Sequence, residues 1–84
     1  MKAAVVRDLA SRYDQATLDA AGDALAEELA PPFPVEGDDD GERLTHLMLA
    51  SRVRERMERD GEDLKGAFRA VMSGVRDVLS NSAD

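Results

Sequence analysis

Apolar residues recur along this chain at intervals of three and four, the spacing that gathers them on one face of an α-helix. From Ala3 to Arg12 that beat is set by Val6 and Leu9 and carried on by Tyr13. Asp14 is placed to cap a second helix, whose stripe is Leu18, Ala21, Leu25 and Leu29. Gly22 interrupts it at a cost of about 1 kcal/mol relative to alanine, a loss that close approach of a neighbouring helix would explain. Pro31, Pro32 and Pro34 stop the pattern, because proline lacks the ladder N–H and restrains the residue before it. The linker should be extended, with Phe33 and Val35 at alternate positions, hence on one side, and able to pin it to the rest of the fold.

A polar turn follows, Glu36-Gly37-Asp38-Asp39-Asp40-Gly41-Glu42, in which Asp39 and Glu42 have capping-box spacing. The third helix is expected from Glu42 to Asp60. Its first turns are apolar nearly all round, through Leu44, Leu47, Met48 and Leu49; later only Val53 and Met57 remain. A segment of that kind must be covered on more than one side, either at the centre of a bundle or at a subunit interface. Gly61 supplies the stop and Asp63 a cap for the fourth helix, about Leu64 to Leu79, which has the cleanest stripe: Leu64, Phe68, Val71, Met72, Val75, Val78 and Leu79. Residues 80–84 should fray. The pattern predicts an all-α fold, a single domain over residues 1–79. It is a small bundle of four helices with a proline-rich, acidic loop between the second and third, the first two shorter than the last two.

Composition narrows what such a bundle can do. With 84 residues there is room for one core. Aromatic residues make up only 4% of it, so burial per residue is modest and a second chain could supply more; a homodimer is the expectation. The formal net charge of −7 argues against nucleic acid and anionic membranes as partners. Only Lys2 and Lys65 are lysines, and an Asp-rich, Lys-poor surface suits a salty cytoplasm as well as it suits plain solubility. With no cysteine, disulfides and thiolate chemistry are excluded. The apolar run at the start is too short and too charged for a signal peptide or a membrane span, so the expected compartment is the cytoplasm.

Four candidate sites repay a test. Aligning Gly41 with the sixth position of an EF-hand loop places Glu36, Asp38 and Asp40 in the first ligand slots. The twelfth position is then Leu47, which cannot close the coordination sphere. Those carboxylates are at most weak metal candidates, and a solvated capping turn is the plainer reading. An acyl carrier needs a serine in an Asp-Ser-Leu setting, which none of the serines has. His46, the one histidine, has Glu42 a turn earlier, but no nucleophile at a readable spacing, and a packing role suits it better. In the run from Arg52 to Arg59, Arg54 with Glu58 and Glu55 with Arg59 are i,i+4 pairs. Arg52, Arg56 and Arg59 fall on a common side and could form a contact strip for an acidic partner, or simply a solvated face.

The stretch from Val35 to His46, Val-Glu-Gly-Asp-Asp-Asp-Gly-Glu-Arg-Leu-Thr-His, resembles the central signature of a family of small acidic helical proteins found mainly in Bacteroidetes. The flanks are similar too: Val6-Arg7-x-Leu9 with Tyr13, Gly61-x-Asp63-x-Lys65-x-Ala67-x-Arg69, and Val75-Arg76. That family has no known function, so the resemblance implies a helical fold and no catalytic residue, and it makes the acidic loop and Thr45-His46 part of a pattern. The reading that follows is a non-enzymatic interaction or regulatory module with an unidentified protein partner, no cofactor and no catalytic residues. Leu47, Leu49 and Val53, with Arg52, Arg56 and Arg59, form its expected contact surface. The competing reading is a weak divalent-metal or anionic-ligand binder using the acidic loop and His46.

Overall fold

Four helices carry the chain: α1 Ala3–Arg12, α2 Gln15–Ala26, α3 Asp40–Asp60 and α4 Leu64–Ser82. The computed structural model describes the backbone of residues 1–82 and the surroundings of side chains 1–75. Val78 and Leu79, the end of the expected α4 stripe, and Arg76 have side chains outside the described set. Helix α4 runs three residues past its expected end, and residues 83 and 84 are not described. Among the described residues there is no strand, and the fold is the all-α bundle that the periodicity predicts.

Three aspartates start three of the helices in the same way. Asp14 Oδ1 accepts from the Thr17 N–H at 2.8 Å, Asp39 Oδ1 from Glu42 at 2.8 Å, and Asp63 Oδ1 from Gly66 at 2.8 Å. Each satisfies a first-turn N–H that has no intrahelical acceptor, and the negative charge sits at the positive end of the helix dipole. Helix α3 stops at Gly61, whose φ of 70° lies in the left-handed region where glycine has no Cβ penalty.

The end of α2 departs from expectation. The helix stops at Ala26, and Glu28 takes a φ of 61° while its N–H donates to Leu25 O and the Leu29 N–H donates to Ala24 O. This is a Schellman closure with a glutamate where glycine is usual. It turns the chain before the prolines begin. Leu29, expected in the α2 stripe, therefore lies beyond the helix and is 59% exposed.

Helix α3 is the centre, packing against each of the other three. Among the described residues the core draws Val5, Val6, Leu9 and Ala10 from α1, Leu18, Ala21 and Leu25 from α2, Leu47, Leu49, Ala50 and Val53 from α3, and only Ala67 from α4. A fully buried Leu18 or Leu47 contributes roughly 1.5–3 kcal/mol by leaving water. Phe33 stacks on Tyr13 with ring centroids 3.8 Å apart, and Val35 packs beside the core, so the proline linker is pinned as its alternation suggests. A methyl added at Gly22 would meet Leu44 Cδ1 at 3.6 Å, an ordinary contact, so the approach of α2 to α3 does not require glycine there.

Candidate functional site

The acidic loop and the first turns of α3 form one hydrogen-bonded unit. Asp39 caps the helix, and Glu42 reaches back to accept from the Asp38 N–H at 2.9 Å. That backbone donor is the main reason the Glu42 carboxyl is held below its usual range. Arg43 Nε donates to Val35 O at 3.2 Å and its Nη1 pairs with Asp40 at 2.9 Å, while Thr45 Oγ1 donates to Gly41 O at 2.9 Å. Gly37 is sterically required: a Cβ there would lie 2.7 Å from Arg43 Cγ and 3.0 Å from the Arg43 backbone nitrogen.

His46 closes the unit. Its ring is fully buried, with Nδ1 2.8 Å from Glu36 O and Nε2 2.9 Å from the Lys2 backbone N. A carbonyl oxygen only accepts and an amide N–H only donates. The ring therefore carries its proton on Nδ1, donates to Glu36 and accepts from Lys2. In this way one imidazole joins the N-terminal segment, the loop and α3. Glu42 Oε1 is 3.8 Å from Nε2, beyond hydrogen-bond range, so the two do not form the acid–base pair their spacing suggests.

The weak metal candidates are spread through this unit rather than converging. Glu36 supplies its carbonyl to His46, Asp38 its N–H to Glu42, and the Asp40 carboxylate is paired with Arg43. Among the described residues no group of three or more His, Asp or Glu side chains is arranged to hold a metal ion.

The expected contact surface divides in two. Leu47, Leu49 and Val53 are buried within the chain itself, which corrects their placement on an outer surface: the other helices cover these three side chains of α3 and leave Met48 exposed. The arginines stay outside. Arg56 makes a two-pronged pair with Glu62, at 2.9 and 2.8 Å, and Arg59 pairs with Glu55 at 3.0 Å and with Asp60 at 3.0 Å. Both guanidiniums are held more firmly charged by these carboxylates, and Arg54 meets Glu58 at 3.1 Å. The strip thus has acids among its arginines. Arg52 alone of the three has no carboxylate within 4.0 Å among the described residues. Beside it runs an open groove of about 590 Å³ between α3 and α4, floored by Ala70, Val71, Gly74 and Val75.

A family model described as "Family of unknown function (DUF6952)" matches residues 1–80. The chain belongs to the DUF6952 family. No curated protein and no solved structure matches it. In this DUF6952 protein no described helix is long and apolar enough to cross a membrane.

Two surface features of the DUF6952 chain escaped the sequence reading. Met48 is 52% exposed on the outer face of α3, one turn before Arg52. The described part of the α4 stripe is only half covered, since Leu64, Phe68, Val71, Met72 and Val75 are all partly exposed and, among the described residues of α4, Ala67 alone is buried. A signal for the first existed, because Met48 lies on the α3 face opposite His46, Ala50 and Val53. The second depends on how α4 docks, which periodicity cannot supply.

Proposed function

We propose that this protein works as a small non-enzymatic interaction module, whose binding surface is the outer face of α3 and the adjoining flank of α4. The observation that carries this reading is the contrast in burial. His46, the one buried titratable side chain among the described residues, spends both ring nitrogens on backbone groups, whereas Met48 and the described part of the α4 stripe leave apolar surface uncovered. Exposed apolar area beside unpaired charge is how binding surfaces differ from solvated ones. A regulatory role by association, in the cytoplasm, fits the acidic surface.

Site-directed photo-crosslinking in the native host tests it. A benzophenone side chain at Arg52 or Val71 should give discrete protein adducts, and the same group at Asp8 on α1 should give none. Absence of adducts from both α3/α4 positions, or equal adducts from all three, would contradict the proposal.

A further inference from the structure

Charge is divided along this chain in a way the net value conceals. Residues 13–42 hold ten carboxylates and no basic residue, while the remainder holds all eleven lysines and arginines against eight acids. Among the described side chains one basic residue crosses the division, Arg43, which pairs with Asp40. Helix α2 runs antiparallel to α3, as three contacts fix: the Gln15 N–H donates to Glu58 at 3.2 Å, Ser51 Oγ donates to Asp19, and Gly22 faces Leu44. The later part of α2, with Asp23, therefore flanks the first turns of α3, where an open groove of about 410 Å³ runs past Asp19, Asp23, Ala26 and Met48. The arginine-rimmed groove lies beyond Arg52, on the α4 side. Met48 sits between an acidic apolar trough and a basic apolar trough.

We infer that the outer face of α3 pairs with a second copy of this chain about a two-fold axis near Met48, with Asp23 of each copy against Arg52 of the other. This deepens, and rests on, the interaction-module reading. A two-fold interface requires a surface that complements itself, and acid on one side of Met48 with arginine on the other meets that condition. Neither Asp23 nor Arg52 has an ion-pair partner of its own among the described residues, so pairing across the axis breaks no existing bridge. Because α2 lies beside α3 rather than in line with it, the charges meet only if the two α3 helices cross steeply.

Light scattering coupled to gel filtration on four samples provides the test. The unaltered chain should run as a dimer at low salt and dissociate as salt screens the pairs. Asp23→Lys alone and Arg52→Glu alone each create two like-charge contacts and should weaken association about tenfold or more. Both substitutions are exposed, and circular dichroism should confirm unchanged helicity. An equimolar mixture of the two variants restores both pairs, the introduced lysine against the introduced glutamate and Arg52 against Asp23, and should form a one-to-one heterodimer. A monomeric unaltered chain at millimolar concentration, variants that still dimerise, or a mixture that stays monomeric would each overturn the proposal. A monomer that still gives crosslinks from position 52 to other proteins would remove the self-pairing and leave the interaction module standing.

Discussion

The two ends of α3 are built on opposite plans. Around its start, from Val35 to His46, polar groups are joined to one another: Asp39 to Glu42, Glu42 to Asp38, Arg43 to Val35 and Asp40, His46 to Glu36 and Lys2. Around its later half, Arg56 and Arg59 pair with surface neighbours and the facing helix leaves its described apolar side chains half covered. The first region is closed and the second is open. The most conspicuous motif in the chain therefore works on folding, holding loop and N-terminal segment to the bundle. The proposed partner surface lies in a plain stretch of arginine, alanine and valine.

Substitutions can test this division. His46 is the most sensitive position. Truncation to alanine empties a fully enclosed site and leaves the Glu36 carbonyl and Lys2 N–H without partners, costing about 3 kcal/mol or more. A domain whose whole stability is on the order of 5–15 kcal/mol would lose much of it, and urea unfolding monitored by circular dichroism should show the midpoint fall sharply. An unchanged midpoint would mean the clasp is ornamental.

One kind of substitution should change sign between the two regions. Gly37→Ala forces a methyl against the Arg43 backbone and should destabilise by about 1–3 kcal/mol, as overpacking does. Gly74→Ala meets nothing within 4 Å and removes a helix-interior glycine, so it should stabilise by up to about 1 kcal/mol. Thermal melts of the two variants side by side decide the matter, and equal shifts would erase the distinction.

Acid stability should respond least. Glu42, through the Asp38 N–H, and Asp14, through Thr17, have carboxyl groups held below their usual range. A depressed folded pKa gives stability that is fully present above the unfolded value and is lost as pH falls through the folded one. The contribution of these two groups should thus be constant from neutral pH down to the ordinary carboxylate range, about pH 4, and decline below it. Urea midpoints measured across that range should show the decline, and it should be shallower in Glu42→Gln.

Most of the fold was legible in the sequence because helical periodicity and aspartate caps are local signals. Asp14, Asp39 and Asp63 each announce a helix that begins where expected within two residues. The end of α2 was not legible, since Glu28 takes a left-handed conformation that nothing in its side chain advertises. The loop's capping role could be read from the Asp39–Glu42 spacing, but His46's part in it could not, because its bond to Lys2 spans 44 positions. Leu47, Leu49 and Val53 show the deeper limit. A helix apolar on all sides looks the same whether its own chain or another covers it, and here its own chain covers these three and leaves Met48 out.

The clasp stands or falls on one proton. Nitrogen-15 NMR of the imidazole at neutral pH reads it directly. A single tautomer, with the proton on Nδ1 and a bare Nε2 accepting from the Lys2 amide, is the predicted result. A proton on Nε2, or signals averaged between the two forms, would contradict it.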